Sequence, residues 1–181
     1  GVIAGAHVAK AAGLRHAITC DMGGTSFDVS LVWDGAPRFA EEKHVEFGVP
    51  IRIPHIDITT IGAGGGSIAW IDRGGILRVG PESAGAEPGP ACYGKGGGEP
   101  TVTDAHLVLG HIDPLHPIAG KEGIQLDLDL ARRAVEEKVA RPLGLGLYEA
   151  AAAILAVADS NMAGSIRSVS VERGFDPRDF V

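Results

Sequence analysis

The sequence has few cysteines and no excess of positive charge. Its 181 residues include 2 Cys, Cys20 in an apolar run and Cys92 in a loop rich in Gly and Pro. Two isolated cysteines make neither a disulfide framework nor a CxxC metal pair, so the reducing cytoplasm is the default location. Lys and Arg number 16 against 23 Asp and Glu, a net charge of −7. This balance lacks the attraction that drives nonspecific binding to nucleic acid or anionic membrane, so neither partner is expected.

Long apolar runs are also missing. No stretch approaches the roughly eighteen apolar residues of a membrane helix, and no charged-then-apolar signal segment opens the chain, so we expect neither secretion nor membrane spanning. The sequence begins at Gly1 without Met and stops at Phe180 and Val181, where an apolar strand is starting. This indicates an excised fragment that is inactive in isolation, with part of any active site in the missing sequence.

Glycine is abundant: there are 27 glycines, about twice the average usage of roughly 7%. They cluster at 23–24, 62–66, 74–75 and 85–98, between stretches of ordinary periodic sequence. With 45% hydrophobic and 22% charged residues, this predicts a folded domain with several tight loops.

The first part of the chain, residues 1–61, predicts a helix followed by strands. Small and apolar side chains at helical spacing indicate a helix over 2–14, with Gly13 at its end. Alternating side chains and the Asp34-Gly35 turn signal predict an antiparallel meander. Its extended segments are 16–20, 27–33, 38–47 and 51–61.

The remaining two parts change from loops to helices. Residues 62–116 predict a short apolar turn at 68–71, one strand at 76–79 and a short helix at 105–110, with Thr103 or Asp104 as its N-cap. Residues 117–181 predict a helix behind Asp129 that ends at Pro142, a second helix over 148–168, and a short strand at 169–171 before a turn at Gly174. Strands first and helices later indicate an α/β fold in an α+β arrangement.

The segment Asp21-Met-Gly-Gly-Thr-Ser-Phe-Asp28 is the main candidate site. A tight Gly23-Gly24 turn between strands exposes successive N–H groups of residues 23–26 that can form a nest for phosphate oxygens, and glycine permits positive φ and close approach. Asp21 would then hold Mg²⁺ or its water, and the Thr25 hydroxyl would donate to a phosphate oxygen. The alternative is a plain hairpin whose Asp21 and Thr25 bind their own backbone.

The glycine loop, residues 62–67, is the second candidate. Its N–H groups, those of Gly62, Gly64, Gly65 and Gly66, are placed before a short apolar segment, where such groups can face a phosphate or a base. The alternative is a packing turn where two backbones cross closely. The loop is not a dinucleotide fingerprint, because Ser67 stands where the third glycine would be and a meander strand precedes it.

Other chemical signals are weaker. Residues 89–96 match the first seven positions of a P-loop, but Gly96 replaces the Ser or Thr that binds Mg²⁺. His55 and Asp57 share one face of a strand, which would suit two metal ligands. Two ligands do not make a metal site, and His44 or His106 would have to complete it. We therefore favour the interpretation that His55 and Asp57 are solvated or hydrogen-bonded to groups nearby. Asp104 has two interpretations, a helix cap and a catalytic carboxylate. Nothing near Cys92 indicates the lowered pKa of a nucleophile.

Four long motifs in fixed order resemble one enzyme family. Asp-x-Gly-Gly-Thr at 21–25 is similar to the second phosphate motif of actin-like ATPases, a superfamily that includes sugar kinases and heat-shock chaperones. The wider pattern resembles hydantoinase A, 5-oxoprolinase and the ATP-binding subunits of acetone-type carboxylases. It is carried by residues 21–26 (DMGGTS), 61–69 (IGAGGGSIA), 79–94 (VGPESAGAEPGPACYG) and 100–105 (PTVTDA), and continues at 171–180 (VERGFDPRDF).

The resemblance implies an actin-like ATPase (ribonuclease H-like) subdomain in an ATP-dependent amidohydrolase of the N-methylhydantoinase or 5-oxoprolinase type. ATP and Mg²⁺ are the implied cofactors, and Asp21, Thr25 and Asp104 the implied catalytic residues. ATP would phosphorylate the carbonyl oxygen of a cyclic amide, which turns a resistant bond into a hydrolysable one. The other phosphate hairpin is expected before Gly1, and a further nucleotide-binding segment after Val181.

Two alternative functions stay open. One is the ATP-binding subunit of an acetone- or acetophenone-type carboxylase that acts on a ketone. The other is a chaperone-like nucleotide switch, which lacks a known counterpart of residues 80–94. The family also implies a B-type partner subunit, and we expect an oligomer.

Overall fold

The computed structural model describes residues 1–41, 43–44, 50–116, 118 and 123–181, with the side chains of 43, 44, 50 and 51 left aside. The predicted extended segment 38–47 therefore lies partly outside the described residues. Pro117, at the start of the predicted helical part, lies outside them as well. The chain divides into two compact units. Unit 1 comprises Gly1–Asp21, Asp28–Thr60 and Ala163–Val181, and unit 2 comprises Met22–Phe27 and Ile61–Met162.

Unit 1 begins with helix α1 (Val2–Ala11). Gly13 follows with φ of 74°, as the sequence predicts for a helix end. The buried side chains of Ala6 and Ala9 pack with Ala17 and Val32, which form the apolar core between this helix and the following strands. The first helix is thus held by small side chains that allow close packing.

The strands of unit 1 follow the predicted order in shorter pieces. Asp34 and Gly35 both have positive φ and form the tight turn that the sequence predicts. The strands are β1 (Ala17–Met22), β2 (Phe27–Trp33), β3 (Ala36–Pro37), β4 (Phe39–Ala40), β5 (Lys43–His44), β6 (Pro50–Ile51), β7 (His55–Ile56) and β8 (Ile58–Ile61). Four of them form one sheet in the order β1-β2-β3, with β8 also paired to β2. Two antiparallel pairs, β4 with β7 and β5 with β6, lie outside this sheet.

The C-terminal segment belongs to unit 1. The Val181 carbonyl accepts from the Ile18 N–H at 2.9 Å, which places this segment beside β1. The Trp33 ring packs against Phe175 and Phe180, with centroids 5.0 and 5.6 Å away. The predicted strand at 169–171 is wrong, because helix α5 (Leu147–Val169) ends there and a 3₁₀ turn, Val171–Arg173, follows it.

Unit 2 contains a hairpin that the sequence only half predicts. Strand β9 (Ser67–Ile71) pairs antiparallel with β10 (Leu77–Ser83), so the predicted apolar turn at 68–71 is instead a strand. The Asp72 carboxylate accepts from the N–H groups of Gly74 and Ile76 at 2.9 and 3.0 Å, which closes the turn. An Asx-type turn of this kind supplies the hairpin signal that a simple count of apolar residues misses.

The helices of unit 2 pack into one core. They are α2 (Val102–Val108), α3 (Leu128–Val135), which continues through a π-helical turn (Glu136–Ala140) into α4 (Arg141–Leu143), and α5 (Leu147–Val169), whose last residues belong to unit 1. Thr101 is the N-cap of α2, which corrects the predicted Thr103 or Asp104, and Asp127 is the N-cap of α3. Leu107, Val135, Val139 and Ile154 are buried at the centre of this core.

The order of strands and then helices confirms the predicted mixed α+β class. Among the described residues, no single helix is long and apolar enough to cross a bilayer. One pair bent by 89°, Leu128–Leu143 with Leu147–Arg173, meets the length and composition requirement only when both are taken together.

Candidate functional site

The hairpin tip, residues 23–26, is an exposed turn with free amides. The Gly23 N–H donates to the Ser26 carbonyl at 2.8 Å, which closes the turn. Gly23, Gly24 and Thr25 are exposed and Ser26 is half-buried. Within the part of the chain that the structure describes, no acceptor binds the N–H groups of Gly24, Thr25 or Ser26. Three successive free N–H groups are what an anion nest requires.

The two glycines of the tip do not serve for backbone freedom. Neither Gly23 nor Gly24 has positive φ, so that part of the sequence-based argument is wrong. A Cβ atom on Gly23 would lie 3.5 Å from the Ser26 carbonyl oxygen, an ordinary contact, and one on Gly24 would meet no atom within 4 Å. The tight contact lies on the other side. A Cβ atom on Gly64 would lie 2.6 Å from the Gly24 carbonyl oxygen and 2.7 Å from that of Gly23, so close approach explains glycine at 64 and not the pair at 23 and 24.

The glycine loop holds the tip by main-chain hydrogen bonds. The Gly65 N–H donates to the Gly23 carbonyl at 2.9 Å, and the Gly66 N–H donates to the Gly24 carbonyl at 2.6 Å. The Gly64 N–H donates to the Ser67 hydroxyl at 2.8 Å. These three amides are engaged within the protein, which differs from the expected presentation toward phosphate. Cofactor contact by Gly62, Gly64, Gly65 and Gly66 stays a prediction, and the visible role of Gly65 and Gly66 is to fix the tip.

The glycine loop is itself anchored from helix α2 and from β10. Both the N–H and the hydroxyl of Thr103 donate to the Gly65 carbonyl at 2.8 Å. The Ala84 N–H donates to the Gly66 carbonyl at 2.8 Å, just after Ser83 at the end of β10. The Ser83 hydroxyl reaches the Thr25 hydroxyl at 3.5 Å. The tip is therefore tied to elements that lie about forty to eighty residues away in sequence.

Asp21 lies near the end of β1 with an exposed carboxylate. The side chain is 61% exposed, so its oxygens are accessible to a cation. Among the described residues, no group of three or more His, Cys, Asp or Glu is placed to hold a metal ion. A single carboxylate is a chemically suitable ligand for Mg²⁺, which binds through one or two carboxylates with phosphate oxygens and water completing its shell, and Mg²⁺ binding at Asp21 stays a prediction.

Asp104 is buried and fully hydrogen-bonded. Its side chain accepts from the N–H groups of Ala91, Cys92 and Thr101 at 3.2, 2.8 and 2.9 Å, and from the Thr101 hydroxyl at 2.8 Å. It also completes a capping box with Thr101 at the start of α2. No oxygen is left to contact a substrate, so the geometry favours the capping interpretation over the catalytic one.

The loop at residues 89–96 belongs to this buried network. Cys92 is completely buried, and burial together with the neighbouring Asp104 raises the pKa of its thiol far above the usual range. A thiol of this kind does not act as a nucleophile near neutral pH. The segment forms a 3₁₀ turn, Ala91–Tyr93, and no helix begins at Gly96–Gly98, which agrees with rejecting a P-loop.

The possible metal ligands are engaged elsewhere. The His55 Nδ1 lies 2.9 Å from the Ile53 carbonyl, and Asp57 forms an ion pair with Arg173. The side chain of His44 lies outside the described residues. His106 faces His111, with 3.0 Å between their Nδ1 atoms, and burial lowers the pKa of His106. His55 and Asp57 are therefore better described as locally bonded residues than as metal ligands.

Sequence reasoning missed Ser83 and Thr103 as parts of this site. Neither residue is near the tip in sequence, and a serine after a Gly-Pro segment or a threonine at a helix start has a common structural explanation. The one available signal was glycine at 64 to 66, which indicates that something approaches closely without saying what.

The comparisons with known proteins agree on one family. The family model for hydantoinase/oxoprolinase matches residues 1–181. The chain is 48% identical over 98% of its length to the caprolactamase subunit alpha of Pseudomonas jessenii, and 43% identical over 100% to the acetophenone carboxylase gamma subunit of Aromatoleum aromaticum. It covers 25% of each of these relatives, so it spans about a quarter of their length.

Solved structures agree with the sequence relatives. The crystal structure of the ATP-dependent caprolactamase from Pseudomonas jessenii matches with a TM-score of 0.87 over 98% of this chain and 25% of that one, at 48% identity. Nucleotide-free acetone carboxylase matches with a TM-score of 0.85 over 99% of this chain and 25% of that one, at 30% identity. This likeness confirms the predicted actin-like ATPase type of fold.

Proposed function

Because the chain belongs to the hydantoinase/oxoprolinase family, we propose that it forms the phosphate-gripping part of an ATP-dependent enzyme that hydrolyses cyclic amides. The observation that carries this proposal is the hairpin tip. Three successive amides, those of Gly24, Thr25 and Ser26, are free at an exposed turn whose carbonyls are fixed by the glycine loop. A rigid row of donors suits the charge of a triphosphate.

Each residue of the site has a role in this proposal. The amides of 24–26 bind phosphate oxygens, and the Thr25 hydroxyl donates one further hydrogen bond. The Asp21 carboxylate holds Mg²⁺ or a water of its shell beside the phosphates. Bound ATP would supply a phosphoryl group to the amide oxygen, which makes that oxygen a leaving group for the later attack of water. The protein's contribution is positioning and charge neutralisation, which provide most of the catalysis in phosphoryl transfer.

A ketone carboxylase subunit is the second candidate function. It is supported by 43% identity to an acetophenone carboxylase subunit over the whole chain. The same grip on ATP serves both reactions, because a ketone also reacts after phosphorylation of its enolate oxygen. Both kinds of relative are named as subunits, which supports a separate B-type partner and an oligomer. The location in the cytoplasm stays a prediction from the sequence.

The test is substrate-stimulated ATP turnover by the complete protein with its partner subunit. A panel of lactams, hydantoins and ketones separates the two candidate functions. We expect Thr25→Ala and Asp21→Asn to lower turnover by about 10²- to 10³-fold, the scale for losing one group that stabilises transition-state charge. Asp129→Asn, at an exposed carboxylate on α3, is the control. Wild-type turnover in both site variants would remove the hairpin tip from the mechanism.

A further inference from the structure

Strand β10 carries an irregularity that places Ser83 next to the hairpin tip. Val79 pairs with Ala69, whereas Ser83 pairs with Ser67. Between these two pairs β10 advances by four residues while β9 advances by two, so β10 contains a bulge. The extra residues include Gly80, whose φ is 69°. A bulge bends its strand and re-aims the side chains that follow it, and bulges are common beside active sites. The consequence here is that Ser83 faces Thr25, which lies 58 residues earlier.

The half-buried side chain of Ser83 lies against the glycine loop. A Cβ atom on Gly66 would lie 2.9 Å from the Ser83 hydroxyl oxygen, and the next residue, Ala84, donates its N–H to the Gly66 carbonyl. The Gly85 N–H donates to the Ser83 hydroxyl at 3.2 Å. One main-chain group, the Gly85 N–H, therefore binds the hydroxyl, and the neighbouring Ala84 fixes this part of the chain on the glycine loop.

The direction of these hydrogen bonds determines what Thr25 can do. An amide N–H is only a donor, so the Ser83 oxygen accepts from Gly85 and its own proton points elsewhere. The Thr25 oxygen, 3.5 Å away, is within reach as the acceptor of that proton. When the Thr25 oxygen accepts in this way, its own proton is free to be donated outward. At 3.5 Å the two oxygens are farther apart than the roughly 2.5 to 3.0 Å of an established O–H···O hydrogen bond, so an orienting bond requires the two hydroxyls to approach each other when an anion binds.

We propose that Ser83 is a positioning residue that orients the Thr25 hydroxyl as a donor to the transferring phosphoryl group, through the chain Gly85 N–H to Ser83 Oγ–H to Thr25 Oγ–H. This rests on the proposed function of the hairpin tip. Ser83 itself touches no substrate, and its effect passes through Thr25. Because orientation matters most where charge develops, the loss of Ser83 affects the turnover number more than the binding of ATP.

A double-mutant cycle in the complete protein with its partner subunit tests this proposal. Steady-state ATP turnover is measured for Ser83→Ala, Thr25→Ala and the double variant. We expect Ser83→Ala to lower kcat roughly tenfold, the order of one neutral hydrogen bond, with KM for ATP changed by less than about threefold. The double variant is expected to match Thr25→Ala alone, because Ser83 has nothing left to orient.

Two further variants separate positioning from folding. Ser83→Cys keeps the shape and a weak acceptor for Gly85 but donates poorly, so it should fold normally and lose kcat as Ser83→Ala does. Ser83→Thr keeps the hydroxyl and should recover most of the lost kcat. Thermal melting of each variant shows whether the fold is intact.

The outcomes are distinguishable. If Thr25→Ala lowers turnover while Ser83→Ala and Ser83→Cys remain at the wild-type level, the positioning role is overturned and the proposed function stands. A double variant that loses the product of both single effects overturns it as well, because Ser83 would then act independently of Thr25. Wild-type turnover in Thr25→Ala overturns the positioning role as well, because the hydroxyl that Ser83 would orient is then dispensable; the proposed function itself falls only if Asp21→Asn also retains wild-type turnover.

Discussion

A Cβ atom built on Gly64 would lie 2.6 Å from both the carbonyl carbon and the carbonyl oxygen of Gly24. Both partners in this contact are main-chain atoms, so neither can rotate away as a long side chain would. The glycine loop and the hairpin tip therefore touch only because residue 64 has no side chain. The same approach places the amides of Gly65 and Gly66 on the tip carbonyls.

Gly64→Ala is accordingly expected to displace the hairpin tip. Overpacking against fixed backbone should lower the free energy of unfolding by about 2 kcal/mol and reduce ATP turnover at least about tenfold. Urea denaturation and a turnover assay measure the two effects. Gly98→Ala is the matched control, because its Cβ would meet no atom within 4 Å and its φ is not positive, so a change below about 0.5 kcal/mol is expected. Equal behaviour of the two variants would contradict the tight contact.

Asp104→Asn tests whether this carboxylate is structural. An amide group keeps the shape but turns one acceptor into a donor among the N–H groups of Ala91, Cys92 and Thr101. We expect a loss of about 3 kcal/mol in unfolding free energy, the scale for leaving buried donors without an acceptor. Asp129→Asn, at an exposed carboxylate, should change stability by less than about 0.5 kcal/mol. A catalytic role would instead show as lost turnover with unchanged stability in Asp104→Asn.

The pair His106 and His111 predicts a loss of stability in acid. Burial and the neighbouring His111 lower the pKa of His106, although Asp159 acts in the opposite direction. The folded state therefore disfavours the charged form of the His106 imidazole. The neutral imidazole contributes its full stability at pH values above the pKa of histidine in the unfolded chain, about 6.5. That stability is lost as the pH falls through the lower pKa of His106 in the folded state. Hydrogen exchange of α2 amides at pH 7.5 and pH 5 should show weaker protection at the lower pH.

Replacing the histidine checks the origin of that effect. His106→Gln should flatten the pH dependence of α2 protection, because glutamine does not titrate. His7→Gln, on the exposed side of α1, controls for the removal of a histidine as such. Unchanged pH dependence in His106→Gln would assign the acid sensitivity to other groups.

The two cysteines should differ in alkylation. Cys92 is completely buried and the pKa of its thiol is raised by burial and by Asp104, so little thiolate forms and no reagent reaches it. Cys20 is exposed, although partial burial also raises its pKa. Iodoacetamide at pH 7.5 followed by peptide mass mapping should label Cys20 slowly and Cys92 only after denaturation. Equal labelling of both in the native protein would show that the 89–96 loop opens.

Local signals in the sequence predicted the elements that depend on few residues. Gly13 ended the first helix, Asp34-Gly35 made the tight turn, and the long helix near the end was found to within one residue at each end. Each of these depends on torsion or periodicity within a short window. The cap of α2 was displaced by two or three residues, since the neighbouring Thr101, Thr103 and Asp104 were chemically equivalent candidates.

The candidate site was predictable only in its exposed part. The motif at 21–28 indicated free amides on a glycine turn, and the structure has them. The support of that turn was not predictable, because it comes from main-chain groups of Gly65 and Gly66 and from Ser83 and Thr103. Hydrogen bonds between main-chain groups far apart in sequence do not require particular side chains. The glycines that permit the close approach are therefore the only sign of them in the sequence.

The way the glycine loop grips the hairpin tip also affects how tolerant each position is to genetic change. Where a contact requires an atom to be missing, chemical resemblance between amino acids offers no protection, and alanine, serine and aspartate at residue 64 should all be harmful. Variant scoring by polarity or hydropathy would rank these replacements very differently. For this short segment, residue volume is the property that separates acceptable alleles from damaging ones.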